Sequence, residues 1–226
     1  MSSNQTTDTL EIWFIRHGQT DWNLQGLIQG ASDTDLNETG RLQAERLQQR
    51  LANTHFDAVW SSDLKRARQT AEISLPAYSL ILDPRLRELN AGEIEGQSHA
   101  SLPDTMREVW SALWAGDSAA RPTAGESYQQ VMDRVRLWLG DLPRHGRIAA
   151  VVHGGVLQAA VRHVLGQYSG WQGGPSLRFA NTSITEVHVS DGRYSIARLN
   201  DSAHLENVGE FAPLDAAQPQ VDLQPV

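Results

Sequence analysis

Five side chains stand out by type and by where they fall. His17 follows Arg16 at the point where the apolar run Ile12-Trp13-Phe14-Ile15 stops and Gly18 begins. His153 ends a second apolar run, Ile148-Ala149-Ala150-Val151-Val152, and is followed by Gly154 and Gly155. Arg66 comes just after Ser61-Ser62-Asp63, and Glu88 just after Asp83-Pro84. Two imidazoles, two guanidiniums and one carboxylate at one place would make a site for a small anion beside a reactive imidazole. Taken singly, each has an ordinary reading. A strand end and a glycine turn would explain Arg16-His17-Gly18. Lys65, Arg66 and Arg68 would serve as a solvated helix face, and Arg87 beside Glu88 as a surface ion pair worth about 0–1 kcal/mol. The case for a site is positional, because all five fall just after a predicted strand.

The elements that must position them can be read from the apolar pattern. Ile12–Ile15 and Ile148–Val152 are short runs of β-branched, aromatic and small residues, so both read as buried strands. Phe56–Trp60 and Tyr78–Leu82 read as further strands. Asn37 is a good N-cap for a helix carrying Ala44, Leu47 and Leu51 at helical spacing. Ser61-Ser62-Asp63 is expected to cap a helix running through Ala67 and Ala71. Arg66 then lies in its first turn, and its guanidinium and the free backbone N–H groups would face one anion. A helix is expected over Ser98–Ala115, with Pro103 in its first turn. Others are expected over Ser127–Leu139 and from Gly155 to about Leu165. Ser183–Val189 and Tyr194–Leu199 flank Asp191-Gly192, a hairpin signal. Strands alternating with helices imply an α/β sheet whose hairpin adds an antiparallel member. Such sheets bind ligands beyond the carboxyl ends of their strands, which is where the five residues fall.

The 226 residues suffice for a large core, and 40% hydrophobic with 20% charged residues is ordinary globular composition. A net charge of -8 and a pI near 5.4 argue against a nucleic-acid or anionic-membrane binder, though a few arginines in one cleft override an acidic exterior locally. The absence of cysteine rules out disulfides, thiolate catalysis and cysteine zinc sites. The polar start Met1–Asp8 has no signal-peptide pattern, and no window approaches the roughly 18 apolar residues of a membrane span, so a cytoplasmic location is expected. There is no Walker loop, no dinucleotide fingerprint and no H-E-x-x-H metal motif.

Arg16-His17-Gly18-Gln19-Thr20-Asp21-Trp22-Asn23 resembles the signature of the histidine phosphatase superfamily, the phosphoglycerate mutase-like proteins. The resemblance continues in order through Gln29-Gly30, Ser61 to Ala71, Glu88 with Gly92-Glu93-Ile94-Glu95-Gly96, Gly125-Glu126-Ser127, His153-Gly154-Gly155 and Asn181-Thr182-Ser183. It spans Ile12 to about Asn200. Departures are Asp35 in place of a usual proline, Asn37 in place of a Ser or Thr cap, Asn90 and Ala91 after the glutamate, and Ile94 in place of a frequent tryptophan.

The resemblance implies a three-layer α/β/α sandwich with a mostly parallel central sheet and one antiparallel strand. It implies a catalytic domain over residues 11–200, with a polar lead before it, a variable lid at 97–127, and a poorly structured tail at 201–226. His17 would be the nucleophile, and Arg16, Arg66 and His153 would hold the phosphoryl oxygens. Glu88 would be general acid and then general base, with Asn23, Gly154, Gln29 and Gly30 lining the phosphate site. No metal and no cofactor are implied, because arginines supply the positive charge. The expected activity is hydrolysis of a small phosphorylated metabolite. The segment Glu88–Gly125 is short, and Arg107 and Arg121 stand alone in it, which favours a phosphatase over a cofactor-dependent phosphoglycerate mutase. A phosphate-binding module without catalysis is the third reading. No nucleic acid or membrane partner is expected; monomer and dimer both stay open. Trp110 and Trp114 fit either an apolar lid over a leaving group or core packing.

Overall fold

The computed structural model describes residues 9–115, 117, 119–167 and 177–206. The chain forms β1 (Thr9–Arg16), α1 (Asp21–Leu24), α2 (Glu38–Leu51), β2 (Ala58–Ser61), α3 (Lys65–Ser74) and β3 (Leu80–Leu82). It continues with α4 (Asp104–Trp114), α5 (Tyr128–Gly140), β4 (Gly146–Val152), α6 (Gly154–Val164), β5 (Ile184–Ser190) and β6 (Arg193–Asp201). The sheet order is β3-β2-β4-β1-β5-β6. β1, β2, β3 and β4 run parallel, β5 is antiparallel to β1, and β6 is antiparallel to β5. β5 is therefore the one reversed strand, as the sequence implied.

Side chains alternate along β1 and build the two halves of the core. Leu10, Ile12 and Phe14 pack with Val131, Val135 and Trp138 of α5 and Val156, Ala160 and Val161 of α6. Trp13 and Ile15 face the other way, onto Leu47 and Leu51 of α2 and Ala67 and Ala71 of α3. Helices on both faces of the sheet make the three layers.

Several elements start where the local chemistry says they should. Asn37 accepts the Gly40 N–H and caps α2, and Ser127 forms a reciprocal capping box with Gln130 on α5. Asp191 and Gly192 both adopt positive φ, +50° and +71°, which a tight hairpin turn between β5 and β6 requires.

Others differ from the expectation. α3 begins only after Leu64, which makes no side-chain cap, and Ser62 Oγ accepts the Leu64 N–H instead. The first amide of α3, Lys65, donates to Asp33 Oδ1 at 2.7 Å, so a carboxylate from the chain itself takes that anion position. The helix expected over Ser98–Ala115 is divided. A short 3₁₀ turn covers His99–Ser101, Leu102 is extended, and α4 starts after Pro103. A proline drives its predecessor out of the helical region, which breaks the run at Leu102. Towards the end of the chain, β6 runs to Asp201 and a 3₁₀ turn over Ala203–Leu205 buries Leu205. The remainder of the expected tail, 207–226, lies outside the described residues, as do residues 1–8 of the lead.

Candidate active site

The site forms at the carboxyl edge of the two central strands. β1 and β4 pair in parallel register with Arg16 opposite Val152, so the next residue on each strand is a histidine. The His17 N–H donates to the Val152 carbonyl at 2.9 Å, and the two imidazole rings lie 5.1 Å apart between centroids. Both rings are buried, with exposures of 2% for His17 and 0% for His153.

His17 Nδ1 lies 2.7 Å from the Gly18 carbonyl oxygen. A carbonyl only accepts, so Nδ1 carries the proton and Nε2 keeps its lone pair. Burial, then Arg66, then Arg16 hold the His17 pKa well below 6.5. The arginines' contribution is as the sequence indicates, but burial is the larger cause. His153 is held down in the same way, first by burial and then by Arg66. Neither His153 ring nitrogen has a hydrogen-bond partner among the described residues. A buried imidazole without partners is costly unless a ligand completes it.

The arginines are anchored by backbone oxygens. Arg66 sits in the first turn of α3 and is fully buried. Its Nη2 donates to the Gly30 carbonyl at 2.8 Å and its Nη1 to the Ser32 carbonyl at 2.7 Å. Burial lowers its pKa to about 10, against an opposing pull from Glu88, so it remains a cation at neutral pH. Arg16 Nη1 donates to the Phe179 carbonyl at 2.5 Å. Thr70, one turn beyond Arg66, accepts the Gly18 N–H at 2.9 Å and so links the His17 loop to α3.

Glu88 does not pair with its neighbour Arg87, which bonds Asp63 instead. Its carboxylate turns to the start of α6, where both oxygens accept the Gly155 N–H at 3.0 and 3.1 Å. A cavity of roughly 40 Å³ is lined by Arg16, His17, Gln29, Gly30, Arg66 and Glu88. Leu27, Ile28, Leu89, Trp110 and Trp114 complete its lining among the described residues.

Three expected residues stand outside that lining. His153 lies beside His17, and Gly154 opens α6. Asn23 caps α1 through Thr20, and its Oδ1 also accepts from Asn181 Nδ2, which in turn donates to the His17 carbonyl. The backbone amide after Gly154 serves Glu88.

Residues the sequence did not single out hold this arrangement. Glu95 accepts from the Ala31 N–H, Ser32 Oγ and the Ala91 N–H, joining the loop that anchors Arg66 to the loop that carries Glu88. Arg134 pairs with Glu126 and donates to the Glu88 carbonyl. Thr182, at φ +56°, donates to the Arg16 carbonyl. Glu95, Glu126 and Thr182 all lie within motifs already noted, but nothing in their spacing reveals these partners.

A sequence profile of the histidine phosphatase superfamily (branch 1) matches residues 12–202. The chain belongs to that superfamily. Among similar histidine phosphatase relatives, it is 33% identical over 211 residues to a metal-independent phosphoserine phosphatase of Arabidopsis thaliana, covering 90% of this chain and 86% of that one. It is 36% identical over 209 residues to a probable phosphoglycerate mutase, GpmB, of Erwinia tasmaniensis, covering 88% and 96%. The solved structure of Bacillus stearothermophilus YhfR superposes with a TM-score of 0.77 at 28% identity, over 87% of this chain and 99% of that one. The fold and the ordered motifs of this histidine phosphatase therefore agree. No helix among its described residues is long and apolar enough to cross a membrane.

Proposed function

We propose that this protein is a metal-independent phosphomonoester hydrolase that works through a phosphohistidine on His17. The observation that carries the reading is the buried, neutral His17, its Nδ1 tied to Gly18 and two buried guanidiniums beside it. In the first step His17 Nε2 attacks phosphorus, the P–O bond to the leaving group breaks, and Glu88 gives its proton to the departing oxygen. Arg16, Arg66 and one N–H of His153 hold the equatorial phosphoryl oxygens, where charge is spread in the transition state. In the second step water attacks phosphorus, Glu88 takes its proton, and the P–N bond breaks to release phosphate and neutral His17. General acid–base help of this kind contributes about 10²–10⁴-fold. The guanidiniums supply the positive charge that a magnesium ion supplies in other phosphoryl-transfer sites.

Gln29 and Gly30 line the phosphate end, Asn23 supports the His17 loop through Asn181, Gly154 opens α6 beside it, and residues 97–127 act as the variable lid. The substrate is a small phosphorylated metabolite in the cytoplasm. Hydrolysis is favoured over mutase chemistry by the arginines of the lid. Arg107 is bonded to Asp104 and the Leu102 carbonyl, and among the described residues neither Arg107 nor Arg121 lines the cavity where a phosphoglycerate carboxylate would need a cation.

Rapid-quench with a labelled phosphomonoester should trap acid-labile phosphate on His17, in buffer with or without chelator. A His17→Ala variant of full activity would end the proposal. Interconversion of 2- and 3-phosphoglycerate, stimulated by the bisphosphate, would replace it with the mutase reading. Phosphate binding without turnover across a broad ester panel would leave a binding module.

A further inference from the structure

Apart from the residues assigned to the phosphoryl group, the cavity lining is apolar, and its aromatic part is packed in place. Trp110 and Trp114, four residues apart on α4, meet edge to face at 5.5 Å, and Trp114 packs on Tyr128 at 6.5 Å. Tyr128 is itself fixed by its hydroxyl, which donates to the Gly155 carbonyl at 3.3 Å. Both tryptophans belong to the main core and also line the cavity, with exposures of 4% and 5%. Leu27, Ile28 and Leu89 are the other apolar residues of the lining among the described residues.

The charged residues of the lining are those already assigned to the phosphoryl group. Arg16 and Arg66 are its only lysines or arginines among the described residues, and Glu88 is its only carboxylate. Every lysine and arginine of the chain lies within the described residues, so the segments outside them, 168–176 included, contain none. A leaving group that carried a carboxylate would lose its water against rings and alkyl side chains, find no cation there, and lie near Glu88. An uncharged leaving group would lose nothing comparable and would gain burial of its apolar surface.

We propose that Trp110, Trp114, Leu27 and Leu89 form a leaving-group subsite that selects phosphomonoesters of uncharged, apolar alcohols over phosphorylated amino or hydroxy acids. The proposal rests on the phosphomonoester reading of this site and adds its specificity.

Binding of three phosphonates to the full chain, followed by isothermal titration, tests it without relying on turnover. Butylphosphonate and benzylphosphonate should each bind at least tenfold more tightly than 3-phosphonopropionate, which matches butylphosphonate in length but ends in a carboxylate. In a Leu27→Arg variant, which places a cation on the wall, that preference should fall below twofold or reverse. A wild-type protein that binds 3-phosphonopropionate as tightly as butylphosphonate overturns the proposal, as does a preference untouched by Leu27→Arg. Turnover of butyl phosphate and O-phosphoserine is measured in parallel. If neither is hydrolysed while the phosphonate preference holds, the hydrolase reading fails and the subsite stands.

Discussion

Glu88 is held against α6 by one backbone amide, with both of its carboxylate oxygens on the Gly155 N–H. The contact needs a residue without a side chain, because a Cβ at Gly155 would lie 2.4 Å from Glu88 Oε1. Gly155 is thus the floor on which the proposed general acid rests.

Gly155→Ala should separate activity from stability. Alanine is favoured over glycine in a helix by about 0.8–1.0 kcal/mol, so the variant should fold and melt no lower than the parent by more than a few degrees. Its Glu88 must move, and kcat should fall by about 10²-fold, the low end of what a displaced acid–base group costs. Calorimetry and steady-state kinetics on one preparation check both halves. Unchanged kcat would show that Glu88 does not act from this position.

The low pKa of His17 sets the acid side of the pH profile. Burial and the two arginines keep the imidazole neutral below pH 6.5, so kcat/KM should stay level as pH falls from 7.5 to 6 and decline only further down. Arg66→Met removes the larger of the two cationic contributions. In that variant the acid limb should move up toward pH 6.5, alongside a severe loss of rate. A pH–rate series on both proteins is the measurement.

The same histidines make stability pH-dependent, with a definite sign. His17 and His153 are neutral when folded and have folded pKa values below the unfolded 6.5. Above pH 6.5 both states are neutral and nothing is gained or lost. Below it the unfolded chain takes up protons that the folded chain refuses, so stability falls as pH falls through that window until the folded pKa values are reached. Each histidine contributes a slope of up to about 1.4 kcal/mol per pH unit. Chemical denaturation between pH 5 and 7 should show this slope, and a His17→Asn, His153→Asn double variant should reduce it, the remainder coming from His99, His163 and His204, which burial also holds down.

Glu95 offers a test of how the loops are coupled. Its carboxylate accepts three hydrogen bonds that join the Arg66-anchoring loop to the Glu88 loop. Glu95→Ala leaves the half-buried Ala31 and the buried Ala91 amides without that acceptor, and a buried donor left so costs about 1–3 kcal/mol. We expect a clear fall in melting temperature and at least a tenfold fall in kcat/KM. Glu95→Gln, which keeps an acceptor oxygen, should recover part of both. Full activity in Glu95→Ala would mean that the two loops hold their positions independently.

Much of this was legible from residue order because it is local. Strand periodicity and the abrupt change from apolar residues to Arg16-His17-Gly18 and to His153-Gly154-Gly155 place both histidines at strand ends. Asn37, Ser127 and Asp191-Gly192 act through partners within a few residues, so their caps and turn follow from composition. Where local reasoning failed, a distant group had intervened. The first amide of α3 was expected to face an anion, but Asp33, 32 residues earlier, occupies it.

The sequence by itself determined which groups exist, which strands end on them, and through its ordered motifs the family to which they belong. Only the tertiary structure decided what each group rests on. The β1–β4 register sets the two imidazoles side by side. Glu88 meets Gly155 across 67 residues, and Trp110 and Trp114 serve core and cavity wall together. Periodicity reports which face of an element is buried, because burial repeats along the element. It carries no record of which distant backbone amide, carbonyl or ring lies opposite, since such contacts occur once and are fixed by how the layers close.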